Sequence, residues 1–238
     1  MTLAEIVLYD EGDVLVLDKP VGIAIIPARG EAPEASLQRR VEQQIGAQLF
    51  VVHRIDRDVS GVVVFARTAE VHRHLSLAFE HRRVEKYYTA WASGGLATQR
   101  LRIDTALHEA RKGKARPALP GEPGSLPAVS DVEIERVWRR NGATVSRVSV
   151  RPLTGRHHQI RVHLRSVGSP LLFDELYGKG IDPAPFVDAP MRRLALHARR
   201  LVVPAPGTDA PLSFEAPLPP DLVALDAWLD GAWVGTAG

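Results

Sequence analysis

The run Gly61-Val62-Val63-Val64-Phe65-Ala66 is apolar throughout and rich in β-branched residues. Strands that are buried on both faces carry such continuous runs, whereas a strand with one solvent-exposed face alternates apolar and polar residues. The run therefore predicts a central strand that is covered on each side. Before it, residues 36–47 have apolar side chains at four-residue spacing with Ser36 as N-cap, and after it Thr68 caps a helical pattern that extends to about residue 82.

Strand patterns outnumber helical ones in the rest of the chain. Further strands are predicted at about 13–19, 85–92, 101–107, 129–138, 143–151 and 194–203, and further helices at 155–167 and 221–229. Because the helices are interspersed irregularly, the pattern predicts an α+β fold with a central mixed, mostly antiparallel sheet flanked by helices and loops. No change of character marks a boundary, so a single domain over residues 1–238 is predicted.

The composition excludes several classes of protein. No stretch approaches the roughly 20 apolar residues that a membrane-spanning helix needs, and the N-terminal residues lack the basic and apolar regions of a secretory signal. The absence of cysteine excludes a disulfide framework, a thiolate nucleophile and a cysteine-ligated metal. These features predict a cytoplasmic protein that does not enter a membrane.

Charge is segregated along the chain although the net charge is only +2. Residues 136–165 contain eight arginines and no acid, and residues 204–238 contain five acids and no Lys or Arg. One interpretation is a basic face suited to phosphates and an acidic face elsewhere; the other is genome-wide arginine usage, since Arg outnumbers Lys 25 to 5. Segregation by sign favours the first.

A second basic segment is predicted to be a mobile loop, because Pro and Gly are dense from its end to residue 127. Its basic side chains are interpreted as phosphate contacts for folded RNA. They are Arg111, Lys112, Lys114 and Arg116.

The segment 53–60 concentrates polar chemistry between two apolar, strand-like runs. It contains two carboxylates, two arginines, a histidine and a serine in eight positions. Loops held by a rigid sheet often carry catalytic side chains. From the spacing alone, a solvated turn in which Asp58 and Ser60 cap the next element is equally compatible with the pattern.

Residues 53–61, His-Arg-Ile-Asp-Arg-Asp-Val-Ser-Gly, resemble the H-R-L-D-x-x-T-S-G signature of the RluA-type pseudouridine synthases. Five further segments resemble motifs of that family in the same order; they are Leu15–Gly22, Lys86–Ala90, Leu153–Leu164, Pro170–Gly178 and Leu196–Ala198. Together the resemblance covers residues 8 to about 217. It implies a catalytic domain with an active-site cleft across the sheet, without a separate S4-type RNA-binding domain and without a cofactor.

The resemblance also implies roles for individual residues. Asp56 matches the catalytic aspartate, which either attacks C1′ of the ribose or removes the C2′ proton, and both mechanisms stay open. Arg161 matches the arginine that pairs with this aspartate and lowers its pKa. Tyr88 matches the tyrosine that stacks on the target base, and Ile160 supplies an apolar wall beside the uracil. Arg54 matches an arginine that fills the space left by the flipped-out uridine.

The predicted helix at 155–167 bears on two of these inferences. An apolar stripe of Ile160, Leu164 and Val167 would pack inward while Arg161 faces the cleft. Its three histidines (157, 158 and 163) have spacings that do not suit one shared ion, so no metal site is predicted.

Two residues depart from the family pattern. Val59 replaces the usual threonine, and Phe173 stands where the family commonly has glycine before Asp174. Both positions lie beside loops that shape the cleft. These two departures therefore weaken the inference about which substrate is chosen.

The sequence thus predicts an isomerase that converts uridine to pseudouridine by base flipping in an rRNA or tRNA stem-loop, and a monomer is expected. A catalytically inactive RNA-binding protein on the same fold is the alternative, and the presence of Asp56, Tyr88 and Arg161 argues against it. A phosphate-handling hydrolase lacks support because the chain has no metal-ligand set or nucleophile motif.

Overall fold

The computed structural model describes residues 2–27, 30–110 and 113–237. The chain forms two compact units: unit 1 comprises Met1–Lys86 and His197–Pro217, and unit 2 comprises Tyr87–Leu196 and Leu218–Gly238. The single-domain organisation stays a prediction. Among the described residues, no helix combines the length and the apolar composition that crossing a membrane requires.

The regular elements follow one another as strands with four α-helices interspersed within the described ranges. The strands are β1 (Val7–Glu11), β2 (Val14–Lys19), β3 (Phe50–Val51), β4 (Ser60–Ala66), β5 (Glu85–Ser93), β6 (Arg100–Asp104), β7 (Leu107–Ala110), β8 (Lys114–Pro117), β9 (Val129–Arg140), β10 (Ala143–Pro152), β11 (Leu196–Pro204), β12 (Pro211–Glu215) and β13 (Val234–Ala237). The α-helices are α1 (Leu37–Ile45), α2 (Ala69–Glu80), α3 (Gln159–Ser166) and α4 (Pro220–Ala232), and short 3-10 helices lie at Leu3–Glu5, Pro33–Ala35 and Ala184–Phe186.

Unit 1 is built on a mixed sheet with the strand order β1-β2-β4-β11, in which β3 also pairs with β4 and β12 with β11. The β4–β11 pair is parallel and the other pairs are antiparallel. Every residue of β4 is buried, which confirms the prediction from its apolar run. Helices α1 and α2 begin as predicted, because the side chains of Ser36 and Thr68 accept hydrogen bonds from the backbone N–H of Arg39 and Val71.

Unit 2 contains an antiparallel sheet with the order β5-β10-β9-β13, and β6 also pairs with β9. Its larger core joins this sheet to α4 through Trp91, Trp138, Leu222, Leu225 and Leu229, all of which are fully buried. Mixed and antiparallel sheets with interspersed helices confirm the α+β prediction.

The basic segment of unit 2, predicted to be a mobile loop, is in part a strand, since Lys114–Pro117 form β8. Strands β7 and β8 form an antiparallel hairpin around it, and Leu107 and Ala115 of this hairpin pack against Val162 of α3. The carboxylate of Glu122 neutralises Arg116 at 2.8 Å. Arg111 and Lys112 lie outside the described residues, and the phosphate contacts assigned to this segment stay predictions.

The separation of basic and acidic faces stays a prediction, but two of the eight arginines at 136–165 are neutralised by acids of the 204–238 block. Acids of α4 bind arginines from β9, β10 and the segment before β11; the pairs are Arg136–Asp230, Arg147–Asp226 and Arg193–Asp221. Residues far apart in the chain thus neutralise one another, which a linear charge pattern does not reveal.

The strands β4 and β11 approach each other at Gly61, whose φ of +116° is a conformation that L-residues rarely adopt. A Cβ added to Gly61 would lie 2.1 Å from the backbone oxygen of Ala198, its partner in β11. Glycine is therefore required where the loop that carries Asp56 enters β4.

We predict that Gly61→Ala destabilises the protein by about 3 kcal/mol or more, because it adds both a steric clash with a backbone atom and backbone strain. Urea denaturation measures the change. Gly95→Ala is the matched control, since Gly95 has an ordinary φ and no atom within 4 Å of the added Cβ. Equal unfolding midpoints for the two variants would contradict the prediction.

Candidate active site

The loop between β3 and β4 carries Asp56 in unit 1. Ile55 and Val59 are 9% and 2% exposed and hold the loop against the unit, while Asp56 is half-buried and Arg54 is exposed. The backbone N–H of Val59 donates to the carbonyl of Asp56 at 3.1 Å, which closes a turn directly after the carboxylate. Asp56 therefore projects from a backbone that is anchored on both sides.

The buried Lys19 binds the backbone of the loop that carries Asp56. The side chain of Lys19 is fully buried, and its Nζ donates to the carbonyls of Pro20, Ile23 and Arg57 at 2.8, 2.8 and 3.0 Å. A buried ammonium is stable only when its donors are satisfied. Lys19 therefore joins the end of β2 to the residue that follows Asp56. The sequence placed Lys19 in a family motif but assigned it no role.

His53 is a structural residue rather than an acid or base. Its Nε2 accepts a hydrogen bond from the backbone N–H of Val64 at 3.1 Å, and its ring stacks on Phe79 at 4.8 Å. Burial, and to a smaller extent the charge of Lys86, lowers the pKa of His53 to about 3. The ring is therefore neutral at physiological pH, with its proton on Nδ1 because Nε2 is an acceptor.

The end of the loop is tied to β11 by two buried polar side chains. The hydroxyl of Ser60 lies 3.0 Å from Nδ1 of His197, and Nε2 of His197 lies 3.3 Å from the carbonyl of Ala216. Since the carbonyl only accepts, Nε2 carries the proton and Nδ1 accepts from Ser60. Ser60 thus anchors the loop. It does not cap the next element, as the alternative of a solvated turn would require.

In unit 2, α3 begins at Gln159, four residues later than predicted. The side chain of Gln159 accepts from Thr154 Oγ1 at 2.7 Å and from the N–H of Arg156 at 3.0 Å, so the preceding residues form a loop. His157 and His158 belong to this loop, and their rings stack at 3.7 Å rather than diverging on a helix. The described residues contain no cluster of three or more His, Asp or Glu that could hold a metal ion.

Helix α3 is buried on more faces than its sequence pattern predicts. Ile160 and Arg161 are 7% and 4% exposed, and Val162 packs in a separate core cluster. Val167, the third member of the predicted apolar stripe, is 38% exposed because it lies after the last helical residue. Arg161 is therefore a buried cation that requires a charged partner.

Asp174 binds the guanidinium of Arg161 through two parallel hydrogen bonds, Nε to Oδ2 at 2.8 Å and Nη2 to Oδ1 at 2.7 Å. Oδ1 also accepts from the backbone N–H groups of Leu176 and Tyr177, each at 3.0 Å. The ring of Tyr177 lies under the guanidinium at 5.1 Å. These contacts fix the plane of Arg161. Asp174 lies within one of the family motifs of the sequence, but the motif does not reveal that it binds Arg161.

Phe173 has a left-handed backbone conformation, with φ of +57°, which glycine adopts more readily than other residues. Its ring contacts Phe186 edge-on at 6.1 Å and the guanidinium of Arg192 at 5.7 Å. These contacts offset the strain of a left-handed backbone, so the loop that presents Asp174 keeps the turn expected of a glycine.

Tyr88 lies on the face of the unit 2 sheet that α3 covers. Tyr88 is opposite Val150, and Val150 is opposite Val132, so the three side chains share one face. Ser130, two residues before Val132, shares that face and binds the α3 side chains at positions 159 and 163. Tyr87 faces the other side, 5.7 Å from the guanidinium of Arg151.

The structure thus places Tyr88 on the sheet face that α3 covers, and Ile160 and Arg161 on α3 itself, all within unit 2. Asp56 and Arg54 share the loop of unit 1. The pairing of Asp56 with Arg161 and the stacking of Tyr88 on a base stay predictions.

Comparison with known proteins identifies relatives over most of the chain. Residues 13–166 match the family model described as RNA pseudouridylate synthase. The dual-specificity RNA pseudouridine synthase RluA of Escherichia coli O6:H1 is 32% identical over 212 residues, which are 89% of this chain and 92% of that protein. The ribosomal large subunit pseudouridine synthase C of Vibrio vulnificus is 32% identical over 91% of this chain and 66% of its own.

A solved structure supports the same relationship. Human RNA pseudouridylate synthase domain containing 1 is 26% identical to this chain, with a TM-score of 0.73 over 97% of this chain and 88% of that one.

We predict that Asp174→Ala lowers the free energy of unfolding by about 3–5 kcal/mol, because it leaves the guanidinium of Arg161 buried without its carboxylate. Chemical denaturation measures the loss. Glu175→Ala removes the neighbouring, exposed carboxylate and is expected to change stability by less than about 0.5 kcal/mol. Similar losses for both variants would show that the buried pair contributes little.

The neutral His53 predicts a pH dependence of stability. Its pKa is about 3 in the folded protein against 6.5 for the free side chain, so the unfolded chain binds the proton more tightly. The stability that the neutral His53 contributes to the folded protein is fully present above about pH 6.5, and it is lost as the pH falls towards 3. Between these values, wild-type unfolding free energy should decline more steeply than that of His53→Gln, which keeps an acceptor but does not titrate. Parallel curves would refute this.

Proposed function

This chain belongs to the RNA pseudouridylate synthase family, in its RluA-type branch. We propose that it isomerises specific uridines of ribosomal or transfer RNA, with Asp56 as the catalytic carboxylate. The family's enzymes are isomerases, so the proposal concerns the residues and the substrate. The observation that carries it is the half-buried Asp56 on a loop held by Lys19, within the segment that matches the family signature.

The reaction breaks the bond between N1 of uracil and C1′ of the ribose, and forms a bond from C5 to C1′. Asp56 either attacks C1′ and is displaced again when C5 bonds to C1′, or removes the C2′ proton and returns it when C5 bonds to C1′. In both routes the N1–C1′ bond breaks, the detached base turns and rejoins through C5, C5 then loses its proton and N1 gains one. Either role requires an ionised carboxylate with a fixed position. The nearby His53 is neutral and occupied by Val64, so it does not compete as a base.

Arg161 is the cation that pairs with the carboxylate of Asp56 in this proposal. Asp174 fixes the guanidinium through Nε and Nη2, and Tyr177 supports its face. A guanidinium held in one plane loses little conformational entropy when it meets a second anion. Its orientation is thus set before the RNA arrives.

Base flipping assigns tasks to the other predicted residues. Extruding a uridine costs a few kcal/mol, which a group entering the vacated stack offsets. Arg54 suits this task because it is exposed and has no hydrogen bond or ion pair with any described residue. Tyr88, on the sheet face that α3 covers, and the apolar Ile160 of α3 both belong to unit 2, and in this proposal they bound the flipped base.

The substrate is proposed at the level of RNA class. The relative from Vibrio vulnificus is named for the large ribosomal subunit and the one from Escherichia coli for dual specificity, which supports rRNA, tRNA or both. A stem-loop target, a monomeric enzyme and a cytoplasmic location stay predictions. No described feature favours the catalytically inactive alternative.

We expect Asp56→Asn to reduce pseudouridine formation below detection while RNA binding is retained, because the amide can neither attack C1′ nor take a proton. Purified protein is incubated with unmodified rRNA and tRNA transcripts, and the product is mapped by mass spectrometry after a pseudouridine-specific chemical label. Asp58→Asn, which alters an exposed carboxylate in the same loop, is the matched control and should stay active. Activity of Asp56→Asn, or none in the wild type, would overturn the proposal.

A further inference from the structure

A pocket of about 500 Å³ lies in unit 2 where the turn between β9 and β10 meets the end of α4. Arg139 and Arg140 line it from the end of β9, and Trp233 and Val234 line it from the segment after α4. None of the residues assigned above to the uridine reaction lines this pocket. It is therefore a separate feature that the proposed chemistry does not explain.

The two arginines of the pocket differ from their neighbours in having no acidic partner. Both are exposed, and neither makes an ion pair or side-chain hydrogen bond within the described part of the chain. Farther along the same hairpin, Arg136 and Arg147 are neutralised by carboxylates of α4. The residues that line the pocket include no acid, so its charge is +2. The pocket thus retains the positive charge that the rest of the hairpin has lost.

Trp233 contributes an unsatisfied donor. It is 6% exposed, and its indole Nε1–H has no acceptor among the described residues. Trp91 and Trp138, in the same core, donate to Asp226 and Asp230 at 2.7 and 2.8 Å. A buried donor without an acceptor is unfavourable, and a hydrogen-bond acceptor that reached it would offset that cost.

We propose that this pocket binds phosphodiester groups of the substrate RNA, as a contact site separate from the flipped uridine. The two guanidinium groups supply only donors, and phosphate oxygens supply only acceptors, so the chemistry is complementary. Such a contact carries no sequence information but positions the RNA and increases affinity. The inference rests on the proposed function for its ligand.

The test is the salt dependence of RNA binding by the double variant Arg139→Ala/Arg140→Ala. Each lost phosphate contact should reduce the slope of log K against log salt by about one, so a reduction of about two is expected together with weaker binding. Turnover at saturating RNA should be unchanged. The probe is the labelled transcript that the wild-type enzyme modifies, or a tRNA transcript if it modifies none.

The matched control is Arg100→Ala/Arg102→Ala. These exposed β6 arginines bind Glu133 and Asp131, so their removal deletes two charges that are already neutralised. We expect a slope close to that of the wild type. Equal slopes for wild type and the Arg139/Arg140 variant would overturn the proposal, as would equal reductions in both double variants, since a general charge effect would then explain the result.

Trp233→Phe tests the indole donor with the ring retained. The expected result is weaker RNA binding with an unchanged salt slope, because no charge is lost, and a folded protein of at least wild-type stability. Unchanged affinity would remove Trp233 from the site. Failure of the proposed function is a different outcome: the wild type would then form no pseudouridine, whatever the slopes measured for the arginine variants.

Discussion

Asp174 and Arg161 form an ion pair whose side chains are 0% and 4% exposed, and the turn at residues 173–178 is organised around it. A buried pair is stable only when its remaining donors and acceptors are satisfied. Asp174 therefore also accepts two backbone hydrogen bonds, which require the chain to turn tightly around it. The left-handed Phe173 begins this turn, and Gly178 ends it where a Cβ would lie 2.6 Å from the carbonyl oxygen of Asp174.

The same principle operates on a lysine in unit 1. Burial of the Lys19 ammonium requires acceptors, and the backbone carbonyls that provide them belong to the turn after β2 and to the loop that follows Asp56. In each unit, a buried cation is stable only with its hydrogen-bond acceptors in place, and these acceptors fix the geometry of the neighbouring backbone. The proposed catalytic groups lie beside these fixed points, where small displacements would be most damaging to the chemistry.

Local patterns predicted the elements whose determinants are local. The apolar run of β4 and the caps at Ser36 and Thr68 needed no knowledge of distant residues, and all three predictions are confirmed. Helix α3 was predicted to begin four residues early because its start depends on Gln159, which also binds β9 at Val129. The β7–β8 hairpin was missed because its apolar residues are few and pack on α3.

By itself, the sequence determined the fold class and the family, because strand periodicity, helix caps and ordered motifs are properties of neighbouring positions. The tertiary structure alone decided which charges are neutralised. Asp226 and Asp230 bind arginines that are 79 and 94 residues away, and Arg161 binds Asp174. Arg139 and Arg140 keep no acidic partner among the described residues. Coulombic attraction and desolvation depend on distance and burial in space, which the order of residues along a chain does not specify.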